Sequence, residues 1–125
     1  MNLFDILGPV MVGPSSSHTA GAVRIGRMAR RLLGDGTPVI AKITLSGSFA
    51  ATGRGHGTDK ALIAGLLGMH TDDERIPRSF LLAQEKGMGY LFVNANLSGE
   101  HPNTAKIELT AKSGKTLSMI SCGMR

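Results

Sequence analysis

Near the end of the chain, two runs of alternating side chains, Ala105 to Ala111 and Lys115 to Ser121, flank the pair Ser113-Gly114. Alternation of this kind is the period of a strand with one buried face, and Ser-Gly between two such runs is a hairpin signal. An antiparallel hairpin excludes a purely parallel, doubly wound sheet, in which neighbouring strands need long crossovers. Upstream, the apolar period changes to that of a helix. Ala22, Ile25, Ala29, Leu32 and Leu33 recur at three and four residues from His18 to Leu33, with Arg24, Arg27 and Arg31 opposite. Ser17 stands at the N-cap and Gly34 at the stop.

The rest of the chain follows the same two periods. Val39 to Leu45 alternates as a strand, and Thr58 caps a second helix that runs to about Leu67 and stops at Gly68. That helix is expected to pack on the strand. A third helix carries Pro77 in its first turn and Ile76, Phe80 and Ala83 on one face, and Gly87 and Gly89 end it. Tyr90 to Asn94 reads as a further strand. At the start, Leu3, Phe4, Ile6 and Leu7 form a short apolar turn closed by Gly8-Pro9, and Met11 to Ser17 is loop. Helices and strands are mixed without regular alternation, so the fold class is α+β: a two-layer sandwich of a mixed or antiparallel sheet with helices on one side. At 125 residues the chain holds one domain, residues 1–125.

Composition narrows the chemistry. With no Trp and only five Phe and Tyr, the core must be built from Leu, Ile, Val, Met and Ala, and the 17 glycines serve tight turns. A single cysteine, Cys122, excludes an internal disulfide framework and any self-contained zinc or iron-sulfur centre that needs several thiolates. If the protein uses such a cluster, another polypeptide must hold it; Cys122 itself is expected in an irregular terminus. No stretch approaches the ~18 apolar residues of a membrane span, and Met1 to Val12 lacks the marks of a leader, so a cytoplasmic protein with no membrane contact is expected. The net charge of +5, with four arginines between Arg24 and Arg31, favours anionic partners. Nucleic acid is not the expected anion, because neither a long basic stripe with stacking aromatics nor a known module is present.

Three segments concentrate the polar chemistry. In Gly13-Pro14-Ser15-Ser16-Ser17-His18-Thr19-Ala20-Gly21, three hydroxyls precede a helix start, where free N–H groups and the dipole favour a carboxylate or phosphate. A serine-rich cap on an ordinary helix is the simpler account of the same residues. His18 lies in the first turn, where the dipole favours the neutral imidazole. In Gly47-Ser48-Phe49-Ala50, followed by Gly55-His56-Gly57-Thr58-Asp59, glycines flank His56 and allow close approach to its ring. In His101-Pro102-Asn103-Thr104, Pro102 holds His101 extended. His18, His56 and His101 lack the spacing of a zinc site, so no metal is expected on this chain. A hydrolase triad of Ser16, His56 and Asp59 has no G-x-S-x-G elbow to support it.

At these segments, together with Leu3-Phe4-Asp5-Ile6-Leu7-Gly8-Pro9 and His101-Pro102-Asn103-Thr104-Ala105-Lys106-Ile107, the chain resembles the beta chain or beta domain of bacterial iron-sulfur-dependent L-serine dehydratase, also called L-serine deaminase. The motifs follow the family's order and spacing over nearly the whole chain. The resemblance implies a lyase that converts L-serine to pyruvate and ammonia. It implies a 4Fe-4S iron-sulfur cluster bound by an alpha chain, not by this chain, and inactivity without that partner. It implies a hetero-oligomer with the alpha chain, with a homodimer of this domain as a further form. The fold it implies is similar to the allosteric substrate-binding domain of some phosphoglycerate dehydrogenases. Carried over, His56 and His101 match histidines at the catalytic centre. Ser15, Ser16, Ser17, His18 and Thr19 would bind the substrate carboxylate or border the site, with Ser48, Thr58, Asp59 and Asn103 as further substrate or interface groups. Two departures stand against the family pattern: Ser121-Cys122-Gly123-Met124-Arg125 replaces a Ser-Ile-Gly-Gly-Gly stretch, and an ACT-type module is missing, as a C-terminal truncation would leave it. The competing expectation is a regulatory domain that binds serine or another small anion without chemistry.

Overall fold

A computed structural model of the chain describes residues 18–47, 57–94 and 103–122. In chain order the elements are α1 (His18–Leu33), β1 (Ile40–Gly47), α2 (Thr58–Leu66), a 3₁₀ turn (Ile76–Arg78), α3 (Ser79–Glu85), β2 (Gly89–Asn94), β3 (Asn103–Thr110) and β4 (Thr116–Cys122). The four strands form one mixed sheet in the order β2-β1-β3-β4, with β1 and β2 parallel and the other two pairs antiparallel. The fold is α+β, as the terminal hairpin requires. The N-terminal apolar turn and the Met11 to Ser17 loop lie outside the described residues.

Alternation decides which face is covered. Ala41, Ile43 and Leu45 of β1 stand beside Leu109, Ile107 and Ala105 of β3, which in turn face Leu117, Met119 and Ser121 of β4, and all nine are buried. Against them pack Ala22, Val23, Ile25, Ala29 and Leu33 of α1 and Leu62, Ile63 and Leu66 of α2. Burial of these aliphatic groups supplies the main driving force, ~25 cal/mol per Å² of apolar surface. The other face carries Ile40, Lys42, Leu91, Lys106 and Ile120 and stays open to solvent among the described residues.

Two expectations are corrected. The third helix is a 3₁₀ turn followed by a seven-residue α3, because Pro77 offers no N–H and the turn closes through Arg78 N–H to the Arg75 carbonyl (2.8 Å) and Ser79 Oγ to the Ile76 carbonyl (2.6 Å). The backbone of Cys122 is not irregular but completes β4, paired with Thr104. Besides covering the sheet as expected, α2 packs closely on α1. Their backbones touch where Gly26 meets Gly65.

Candidate active-site end of the sheet

The register gathers several chain ends at one edge of the sheet. Gly47, the last residue of β1, pairs with Asn103, the first of β3; Asn94 ends β2 beside Leu45; Cys122 ends β4 beside Thr104. The helices point their first turns the same way. Arg30, in the last turn of α1, donates from Nη1 to Thr37 Oγ1 (2.6 Å) just ahead of β1 and to the carbonyl of Leu66 (3.1 Å), the last residue of α2. The C-terminal turns of α1 and α2 therefore lie together by the start of β1. With α1 ~24 Å long, its first turn lies toward the end of β1. The backbone positions of His18, Thr19 and Asn103, and the side chains of Thr58 and Asp59, thus belong to one end of the domain. Ser15, Ser16, Ser17, Ser48, His56 and His101 lie outside the described residues.

Thr58 is not the cap expected of it. Gly57 takes the N-cap position with φ 90, a left-handed conformation suited to glycine, and no side chain caps the helix. Thr58 is instead the first helical residue, 1% exposed, and its Oγ1 has no hydrogen-bond partner among the described residues. A buried hydroxyl left unpaired costs ~1–3 kcal/mol. Ser121 Oγ is in the same condition. Ser121 pairs with Ala105, itself opposite Leu45, and so lies at the same end of the sheet. Sequence reasoning passed over Ser121, since a serine on the covered face of a strand carries no motif. Its only signal is a hydroxyl where the alternation of β4 calls for an apolar side chain.

The two helix starts differ in charge. The first turn of α1 has no acidic residue, so the helix dipole presents a positive pole there. The first turn of α2 carries Asp59, which is buried and accepts a hydrogen bond from the Lys60 amide at 2.7 Å. Asp59 also lines an open cavity of about 330 Å³ with Phe80, Tyr90, Leu91 and Phe92. Phe80 stacks on Tyr90 with centroids 5.0 Å apart, Phe92 stands at an angle to both, and Lys60 Nζ lies 6.0 Å from the Phe80 centroid. This aromatic wall was also not foreseen, although three of the five aromatic residues fall between positions 80 and 92.

No metal fits the described residues. No group of three or more His, Cys, Asp or Glu is placed to hold an ion among them. One cysteine in the sequence cannot supply the several thiolates of an iron-sulfur cluster. No described helix is long and apolar enough to cross a membrane.

The serine dehydratase beta chain family matches residues 2–113. The probable L-serine dehydratase beta chain of Bacillus subtilis (strain 168) is 50% identical over 123 residues, 98% of this chain and 56% of that protein. The L-serine dehydratase beta chain of Peptoniphilus asaccharolyticus is 46% identical over 113 residues, 90% of this chain and 50% of that protein. L-serine dehydratase 2 of Escherichia coli (strain K12) is 43% identical over 74 residues, 54% of this chain and 16% of that longer protein. The chain spans about half the length of the two beta chains it matches. It belongs to the serine dehydratase beta chain family.

Proposed function

We propose that this chain is the beta part of a cytoplasmic L-serine ammonia-lyase, which pairs with an alpha chain and lends residues to a shared active site. The observation that carries this reading is the gathering of Thr58, Asp59 and the starts of α1 and β3 at one end of the sheet, in a member of the serine dehydratase beta chain family. Serine is a zwitterion, and the two helix starts are complementary to it. The positive pole at the start of α1 suits the carboxylate, and the Asp59 carboxylate suits the ammonium group. The unpaired Thr58 hydroxyl is a ready partner for a polar substrate atom.

On this reading Ser15, Ser16 and Ser17 extend the carboxylate site, while Ser48 and Asn103 orient the substrate. His56 and His101 move protons; in the sequence they precede Thr58 and Asn103 by two positions each. The reaction removes the α-proton and the hydroxyl as water, and the resulting enamine and imine hydrolyse to pyruvate and ammonia. The iron-sulfur cluster of the family is assigned to the alpha chain, in line with the donor set described above.

The test is anaerobic reconstitution with the alpha chain and measurement of pyruvate release. His56→Ala and His101→Ala should each lower turnover by ~10²-fold or more, the range for loss of a proton-transfer group. Full activity in both variants removes the proton-transfer assignment. Pyruvate formation by this chain alone, without iron, overturns the two-chain reading.

A further inference from the structure

At the far end of the domain from Thr58, the C-terminal turns of α1 and α2 enclose a second open cavity, of about 350 Å³, lined by Arg27, Arg30, Arg31, Gly34, Gly36 and Gly68. Three guanidinium groups thus border one hollow. Arg27 donates from Nη1 to the carbonyls of Gly68 (2.9 Å) and Met69 (3.4 Å), and Arg30 from Nη1 to Leu66 and Thr37. Among the described residues, each is anchored through one nitrogen. The remaining N–H groups of the planar fork keep their donor capacity, and Arg31 is exposed without a hydrogen-bond partner among the described residues. Gly68, at φ 93, lets the Arg30 guanidinium lie over it: a Cβ there would be 3.3 Å from Arg30 Cζ. A fourth cation stands at the rim, since Lys115 Nζ lies 3.6 Å from where a Cβ on Gly34 would be.

Capping the α2 C-terminus accounts for part of this charge and not the rest. A helix end carries roughly −0.5 of an elementary charge, whereas three arginines and a lysine bring about four positive charges to the same place. Among the described residues, no carboxylate lines the cavity or pairs with these cations. The ion pair among the described residues is Arg75 with Asp73, elsewhere, and the nearby Asp35 accepts a hydrogen bond from Ser113 Oγ at 2.7 Å and does not line the cavity. Like charges held together at an open cavity repel one another unless an anion fills it.

We infer that this cavity is a binding site for a phosphoryl group, free or carried on a small monoester, held by the forks of Arg27, Arg30 and Arg31 and by Lys115. The chemistry fits: a guanidinium fork matches two oxygens of a phosphate, and the volume is within the range of small-ligand sites. The site is separate from the candidate active end and does not depend on serine turnover, so its test stands apart from the function proposed above.

The test uses the full 125-residue chain in amide-resolved NMR titrations. Inorganic phosphate forms one arm and glycerol phosphate the other, each against chloride at equal ionic strength. Saturable shifts at the amides of Gly34, Gly36 and Gly68 are expected in at least one arm, and the tighter arm identifies the free or the esterified form. The double variant Arg31→Gln, Lys115→Gln removes two exposed cations whose side chains make no hydrogen bond among the described residues, and should weaken binding at least tenfold while the rest of the spectrum is retained. Shifts that never saturate in either arm, or equal affinity in the double variant, overturn the proposal.

Discussion

Gly26 and Gly65 stand at the crossing of α1 and α2 with their backbones in contact: a Cβ on either one would lie 2.9 Å from the Cα of the other. The same Cβ atoms would run into the carbonyl oxygens of Leu62 and Val23. These obstacles are backbone atoms of packed helices and cannot swing aside as a side chain would.

Gly65→Ala is therefore expected to destabilise the domain by about 2–3 kcal/mol, the upper part of the range for overpacking. The intrinsic helix preference of alanine, ~1 kcal/mol over glycine, acts in the opposite direction and loses. Gln84→Ala, on exposed α3, should change stability by less than ~0.5 kcal/mol. Urea denaturation checks both. A midpoint for Gly65→Ala equal to that of the wild type would show that the helices can separate at no cost.

At the centre of the sheet, Ile107 pairs with Ile43 on one side and Met119 on the other, and neither isoleucine is exposed at all. Ile107→Val should cost ~1 kcal/mol and Ile107→Ala ~3 kcal/mol, because the second change also leaves a cavity that close packing cannot fill. A difference of less than ~1 kcal/mol between the two variants, measured by thermal or urea unfolding, would mean that the helices relax into the gap.

The connector before the 3₁₀ turn holds a pH-sensitive pair. Arg75 Nη2 meets Asp73 Oδ2 at 2.8 Å, and Arg75 Nε and its backbone N–H both donate to Asp73 Oδ1. The Arg75 side chain, then its backbone N–H, lowers the Asp73 carboxyl to about 2 from the ordinary value of 3.8. A carboxyl depressed in the folded state contributes stability above its unfolded value, and the contribution fades as the pH falls toward 2. The pair is solvent-exposed, so the contribution is small and salt-sensitive. Carbon-detected NMR titration should place the Asp73 midpoint near 2, and Arg75→Gln should return it toward 4. A midpoint near 4 in the wild type would mean that the pair does not persist in solution.

Much of this fold was readable in the chain. The 3.6-residue stripe from Ala22 to Leu33 and the alternation through Ala41, Ile43 and Leu45 are direct consequences of one covered face, and each produced the element expected. What escaped was set by tertiary contact. Nothing local marks Gly26 and Gly65 as partners 39 positions apart, and Arg27, read only as lying opposite the apolar stripe, reaches Gly68. Of the candidate site, Thr58 and Asp59 were found because helix starts have a signature. The condition of the Thr58 hydroxyl was not, since it depends on Gly57 taking the cap.

That hydroxyl separates a structural from a functional role. Because Thr58 Oγ1 is buried and makes no hydrogen bond among the described residues, the near-isosteric Thr58→Val should leave stability unchanged or raise it by up to ~1 kcal/mol, the reverse of the usual loss on removing a buried polar group. If the hydroxyl receives a substrate atom as proposed, the reconstituted two-chain enzyme should lose about tenfold in kcat/KM for serine with Thr58→Val and recover most of it with Thr58→Ser. Stability is read from unfolding of this chain and activity from pyruvate release, so the two effects are independent. A Thr58→Val chain less stable by 1 kcal/mol or more would show that the hydroxyl is already engaged within the protein. Unchanged turnover would remove Thr58 from the site.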